Sequence, residues 1–339
     1  MCIRDSPPRG GGPRGWTRCA AWSAYVCRQG LGSLLMGLKL VDHVIEVKKN
    51  DSESYTAALE QLQPIEFENI FVPHESFRTA LFLRKLSAKR KIGFKKWWNS
   101  AFFSLRLQRP NHLPDGLRQL FLLSTLSPAI HRFFSNTHEV NLYSSKRGLK
   151  TPTIPEWLSM NHEFDLKPLK GISASLKKAV LAPGSQWATK RWTTEGFVGL
   201  GQKLKKDGYE IFIVGTNEES EICDQVAGQI PGSYNLCGKT DLMELLSLLK
   251  ISQILVVNDS GVMHLGSVAG IPTVGIFGPT TLDLGYRPWQ NRAVIVERNL
   301  RCRPCGKHGH KKCPIGTHEC MKAIASDDVK SAVSAVTSL

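Results

Sequence analysis

Residues 254–280 read ILVVNDSGVMHLGSVAGIPTVGIFGPT. The opening, 254–258, is a short apolar run bounded by turn residues, which predicts a buried strand. Asp259, Ser260 and Gly261 follow. Asp and Ser are good N-cap residues, and glycine lets the backbone turn sharply and approach a ligand closely. Residues 262–269 then predict a helix, which Gly270 and Pro272 stop. A second buried strand is expected over 273–277, with Gly278-Pro279-Thr280 as the loop at its carboxyl end.

Strand, loop, helix, strand, loop is a βαβ unit, and open α/β sheets bind ligands at the carboxyl ends of their strands. A helix starting at Ser260-Gly261 offers free backbone N–H groups and a partial positive charge, which suits a phosphate. His264 lies three residues after Gly261 and can point to the same end. Taken singly, Asp259 reads equally well as a plain N-cap and His264 as a satisfied, half-buried histidine.

Further strands are expected near 179, 210, 235 and 294, with helices between most of them, the pattern of a doubly wound parallel sheet. The strand at 179–182 leads into PGSQWATKRW, residues 183–192, a loop rich in donors with two adjacent cations. Thr193 or Thr194 caps a helix that Gly208 ends, and Asp241 caps another. Ser326 starts a last helix with Val329 and Val333 on one face.

Three runs, N-D-S-G-x-x-H-L, A-G-I-P-T and F-G-P-T, together with P-G-S-x-x-x-T-K-x-W, resemble the ADP-heptose:lipopolysaccharide heptosyltransferases of glycosyltransferase family 9. The resemblance implies an α/β protein of two Rossmann-like domains facing a cleft, the glycosyltransferase-B architecture. It implies inverting transfer of heptose from ADP-heptose to the inner core of lipopolysaccharide. The donor would sit on Ser185, Lys190, Glu219, Thr240, Asp259, Ser260, Gly261 and His264, with Lys190 stabilising the leaving diphosphate. Glu219, with Glu218 beside it, would accept from the ribose hydroxyls, although it also suits the first turn of a helix. His74, Ser76 and Arg78 match an H-x-S-x-R loop on the acceptor side, and His138-Glu139-Val140 matches a further family step. No cofactor and no metal are expected, since Lys190 and the helix amino terminus can carry the diphosphate charge.

At 339 residues the chain suits two domains, and no run of 18 apolar residues predicts a spanning helix. The net charge of +15 points to an anionic partner: nucleic acid, a phospholipid surface or a phosphorylated substrate. Basic residues crowd 78–150, interrupted by Trp97, Trp98, Phe102 and Phe103, with only Asp115 and Glu139 as acids. A solvated face and a nucleic-acid groove are both compatible with that run. The preferred reading is an anionic lipid-A/core acceptor and peripheral contact at the cytoplasmic side of the inner membrane, without nucleic acid. Two alternatives stand beside it: a transferase of another nucleotide sugar, and a non-catalytic zinc- and nucleic-acid-binding protein. The second rests on Cys302, Cys305, Cys313 and Cys320, among nine cysteines, with His308, His310 and His318 nearby. Their spacing leaves zinc, packed thiols and redox chemistry open.

The amino-terminal half is expected to carry short strands at 41–47 and 69–72 and a helix at 77–87 with Phe77, Leu81 and Leu86 on one face. The first residues, MCIRDS, match one frame of a sequencing adaptor, and 1–33 are expected to be a non-native tail. The family's opening strand and the loop bearing its general base have no counterpart there, so the base is unassigned. An acceptor domain is expected over 34–172, a linker over 151–171 and the donor domain over 173–339.

Overall fold

A computed structural model describes residues 2–4, 22–136, 176–288 and 292–338. The chain divides into two compact units, Met1–Pro110 with Arg118–Asn136, and Asn111–Leu117 with Thr137–Leu339. The expected linker, the 172/173 boundary and His138-Glu139-Val140 lie outside the described residues.

The second unit carries six parallel strands. In chain order, after the six strands of the first unit, they are β7 Lys178–Ala182, β8 Glu210–Ile213, β9 Tyr234–Asn235, β10 Ile254–Asn258, β11 Thr273–Phe277 and β12 Ala293–Glu297. Their order across the sheet is β12-β11-β10-β7-β8-β9. Read from β9, that is the third, second, first, fourth, fifth and sixth strand of the unit, the doubly wound nucleotide-binding order. Strands β7, β10 and β11 are buried at every residue. A strand covered on both faces needs a continuous apolar run, which is why the sequence shows no alternation there.

The crossover helices are cut by local chemistry. Thr193 accepts from the Gly196 N–H at 3.0 Å and starts the helix Thr194–Lys206. Asp241 and Glu244 form a reciprocal capping box at the head of Leu242–Lys250. Gly270, at φ 72°, ends Gly261–Ala269 in the left-handed conformation that glycine adopts without strain. Short helices Ser220–Gly228 and Glu319–Lys322 and the closing helix Ser326–Thr337 complete the unit. Val329 and Val333 of that last helix are buried, as expected.

The first unit holds β1 Cys2–Arg4, β2 Trp22–Arg28, β3 His43–Val47, β4 Glu66–Val72, β5 Ser87–Phe94 and β6 Leu105–Leu107, in the order β3-β2-β1-β4-β5-β6. Strand β1 is antiparallel to both neighbours, and the remaining pairs are parallel. The expectation of a non-native tail over 1–33 is corrected by β2, which lies inside that stretch, pairs with β3 over 24–28 and buries Ala24 and Cys27. The helix Phe77–Arg84 is shorter than expected and turned the other way. Ala80 and Leu83 are buried, whereas Phe77 and Leu81 face solvent. Phe77, Trp98 and Phe102 pack edge to face, with ring centroids 5.4–6.1 Å apart. Among the described residues no helix is long and apolar enough to cross a membrane.

Candidate functional site

The site of the second unit forms where β7 and β10 lie side by side. This is the point at which the strand order reverses, and loops leave the two strands in opposite directions. The loop after β7 runs through Ser185 to Trp192, and Asp259-Ser260-Gly261 follows β10. Trp192 roots the first loop. It is 1% exposed, packs edge to face on Phe197 and donates from its indole N–H to the Ile324 carbonyl at 3.0 Å. Asn258 ties the two loops together: its Oδ1 accepts from the Trp192 N–H at 3.0 Å and its Nδ2 donates to the Pro183 carbonyl at 2.8 Å. In the sequence Asn258 is the end of a strand and the first residue of the N-D-S-G run, and nothing there assigns it this tie.

Asp259 is not the N-cap that local rules suggest. Its Oδ2 accepts from the Lys190 ammonium at 2.6 Å and from the Thr280 hydroxyl at 2.7 Å. All three side chains are buried. A buried ammonium needs a counter-charge, and the carboxylate supplies it. Ser260 is the N-cap residue of the helix 261–269, yet its side chain makes no cap bond. Its hydroxyl oxygen is buried and has no hydrogen-bond partner among the described residues. Gly261, the first residue of this helix, is exposed and lies two residues after Asp259. A helix amino terminus with an exposed first residue, an adjacent ammonium and a hydroxyl without a hydrogen-bond partner are groups whose chemistry suits an anion.

His264 sits half-buried one turn into the helix. Burial pushes its pKa below the ordinary imidazole value; the carboxylates of Asp259 and Asp115 oppose that shift and Lys190 adds to it. Asp115 reaches this site from the segment Asn111–Leu117, which clusters with the second unit, and its N–H donates to the Gly285 carbonyl at 2.9 Å. In the sequence Asp115 stands out only as one of two acids in a basic run.

Ser185 is buried, and its hydroxyl donates to the Asp259 carbonyl at 3.4 Å. A Cβ at Gly184 beside it would stand 2.2 Å from the Glu219 carboxyl carbon, so a side chain there must displace that carboxylate. Glu219 Oε2 also accepts from the Thr216 N–H at 2.9 Å, so the carboxylate both caps its own turn and covers the loop after β7. Glu218 is fully exposed, its carboxyl held below the usual range by its own backbone N–H and the Thr216 hydroxyl. Thr240 ends a loop joined to the Glu219 turn through the Gly238 N–H and Gly215 carbonyl at 2.9 Å.

The acceptor-side candidates lie in the first unit. Ser76 caps the helix 77–84, accepting from the Thr79 N–H at 3.2 Å; Arg78 donates to Asn50 at 3.2 Å; His74 is exposed. The basic run has more acidic company than its own residues indicate. Glu75 pairs with Lys96 at 3.2 Å and with Arg109 at 2.8 Å, and Glu68 pairs with Lys89.

The carboxyl-terminal cysteines do not gather with histidines or acids into a metal-ligand set among the described residues. Cys320 is buried and its thiol is pushed up to about 11, first by desolvation. The Cys313 thiol is held below its ordinary value, first by the His318 N–H, which lies 3.4 Å from its sulfur.

The family model of glycosyltransferase family 9 (heptosyltransferase) matches residues 56–315. A lipooligosaccharide heptosyltransferase 2 of Campylobacter jejuni subsp. jejuni serotype O:6 is 30% identical over 261 residues, covering 75% of this chain and 78% of that protein. The glycosyl transferase family 9 protein of Veillonella parvula aligns in structure with a TM-score of 0.70 at 18% identity, over 93% of this chain and 88% of that one. The E. coli heptosyltransferase WaaC with ADP-2-deoxy-2-fluoro heptose aligns with a TM-score of 0.66 at 16% identity, over 91% and 88%. At those identities the two structures share the fold, which is that of the two-sheet glycosyltransferases. With the family model spanning most of its length and a relative at 30% identity, the chain belongs to glycosyltransferase family 9.

Proposed function

We propose that the chain transfers heptose from ADP-heptose to the inner core of a lipopolysaccharide acceptor, with inversion at the transferred carbon. The observation that carries this reading is the Lys190–Asp259–Thr280 cluster beside the open head of the helix 261–269. In this reading the diphosphate lies against the Gly261 end of that helix, with Ser260 and Ser185 as hydroxyl donors. Lys190 meets the negative charge that grows on the leaving phosphate oxygen as the bond from sugar carbon to oxygen breaks. Asp259 keeps the ammonium charged and in place. His264 is neutral near pH 7 and so contributes a hydrogen bond rather than a charge. Glu219 accepts from the ribose hydroxyls, and Thr240 borders the base. No metal is assigned, because an ammonium and a helix amino terminus already serve the diphosphate.

The acceptor hydroxyl attacks from the opposite face and gives up its proton to a base. No residue of this chain is assigned to that step. His74, Ser76 and Arg78 are the acceptor-side candidates. Trp97, 93% exposed between Lys96 and Trp98, and Phe77, 57% exposed, support peripheral contact with an anionic membrane at its cytoplasmic face.

Calorimetry with ADP, ADP-heptose, UDP and GDP tests the donor site, in chelator, on this chain and on Lys190→Ala and His264→Ala. The expected result is ADP-selective binding that weakens in both variants. Equal binding of all the nucleotides, or variants that bind ADP as the parent does, overturns the assignment.

A further inference from the structure

The segment from Arg303 to His318 has no part in the donor cluster, yet its polar groups are aimed at the two loops that hold it. At one loop, Thr189 is gripped from several sides. Its N–H and its hydroxyl donate to the His310 carbonyl at 3.1 and 2.8 Å, and the same hydroxyl accepts from the His310 N–H at 2.8 Å. The His318 ring meets the Thr189 carbonyl through Nε2 at 2.8 Å. A carbonyl only accepts, so that nitrogen carries the proton. At the other loop, Arg303 donates to the carbonyls of Gly278 and Thr280, the latter at 2.8 Å, and pairs with Glu297 at 2.6 Å. The Cys305 N–H donates to the Pro279 carbonyl at 2.8 Å. Between the two loops Gly309 turns at φ +80°. A Cβ at that glycine would lie 3.1 Å from Thr189 Oγ1 and 3.3 Å from both Lys190 Cγ and Pro279 Cγ.

Thr189 precedes Lys190, and Pro279 precedes Thr280. The backbone that this segment fixes is therefore the backbone from which both partners of Asp259 project. Lys190 reaches its site on a flexible four-carbon stem, and only a fixed Cα makes its ammonium a defined point charge. Small displacements of a charged group at a reacting bond carry large penalties in rate.

We infer that residues 303–318 form a splint that sets Lys190 and Thr280 on Asp259, and that Arg303, His310 and His318 are positioning residues for the ammonium that meets the donor diphosphate. The inference rests on the donor reading of Lys190 given above.

Three variants of the full chain test it. Thr189→Val keeps the shape and removes the hydroxyl that bridges both His310 backbone groups. His318→Asn keeps a residue that tolerates the local φ of 56° but is too short to reach the Thr189 carbonyl. His318→Gln restores a donor at the distance of Nε2. ADP and AMP affinities are measured by calorimetry, alongside melting temperature, kcat and KM. Thr189→Val and His318→Asn are expected to weaken ADP about tenfold and AMP less than about twofold, because the misplaced ammonium serves the terminal phosphate. His318→Gln is expected to recover most of the ADP affinity. Equal losses for ADP and AMP, or unchanged ADP affinity with only a lower melting temperature, would overturn the splint. Lys190→Ala separates the two levels. If it weakens ADP and the splint variants do not, the splint alone fails; if it leaves ADP unchanged, the donor reading fails and the splint falls with it. Should Thr189→Val not fold, the His318 pair decides by whether Gln rescues what Asn loses.

Discussion

Replacing Asp259 by Asn tests whether the cluster is held by charge or by shape. The substitution keeps the volume and one acceptor oxygen but removes the counter-charge of a lysine that is 6% exposed. At 2.6 Å and an effective dielectric constant of about 20, the pair attracts by roughly 6 kcal/mol. Much of that offsets the desolvation of both ions. The relevant quantity is the cost of leaving one buried ion unpaired, about 3–5 kcal/mol. For a unit of this size, each kcal/mol moves the melting temperature by about 2–4 °C, so Asp259→Asn should melt roughly 10 °C below the parent. Lys190→Met, which strands the carboxylate on Thr280 alone, should also be costly. The double variant removes both charges and should cost less than the sum of the singles by about 2 kcal/mol or more. Urea unfolding followed by tryptophan fluorescence reports all four species, since Trp192 is rooted in the same loop as Lys190. An Asp259→Asn protein within about 1 kcal/mol of the parent would refute the reasoning, as would strict additivity in the double variant.

Gly184→Ala must expel the Glu219 carboxylate and break its bond to the Thr216 N–H, costing about 1 kcal/mol as a lost cap. Adenosine and ADP affinity should fall together in that variant, and unchanged adenosine binding counts against Glu219 as the ribose acceptor. His264 is held below its ordinary value of 6.5, so the unfolded chain takes up the proton first as the pH falls. Stability should therefore decline as the pH drops through about 6.5 toward the lower folded value, and His264→Asn should flatten that slope in melting curves. A slope as steep in the variant as in the parent would remove His264 as its source. Iodoacetamide near neutral pH, read by mass spectrometry, should label Cys313 before Cys305 and Cys320, because backbone N–H groups favour its thiolate while burial disfavours the others. Trp97→Ser should reduce sedimentation with anionic vesicles and leave the melting temperature unchanged, since the ring is 93% exposed. Loss of stability without loss of vesicle binding would point to a packing role instead.

The central strands of the second unit are legible because burial on both faces leaves an unbroken apolar run between turn residues, as at Ile254–Asn258 and Thr273–Phe277. Strand β2 is not. Its residues WSAYVCR follow a stretch rich in Gly, Pro and Arg, and what makes them a strand is pairing with β3, which begins 15 residues later in the chain. The helix 77–84 misleads for a different reason. Phe77 and Leu81 carry the apolar signal yet face solvent beside Trp98 and Phe102, while small Ala80 takes a buried position. Apolar periodicity reports a core face only when the large residues are the ones buried. The basic run misleads similarly, because Glu68 on β4 and Glu75 in the loop after it pair with the run from outside its own sequence.

The site was legible as motifs but not as a cluster. Lys190 and Asp259 stand 69 residues apart, and nothing local says that they meet. Local rules assign Asp259 to the cap of the following helix, a role worth about 1 kcal/mol. A buried lysine left without a counter-charge costs several times more, so the carboxylate goes to Lys190 and the cap is forgone. With Asp259 turned to Lys190, Ser260 takes the N-cap position, and its side chain makes no bond to the first N–H groups of the helix. The carboxylate that neutralises the ammonium is thereby withheld from the helix terminus beside it. In the donor reading a diphosphate arriving there would meet one hydroxyl, that of Ser260, which no described group holds, while Lys190 and Ser185 would reach it from bonds they already make to Asp259.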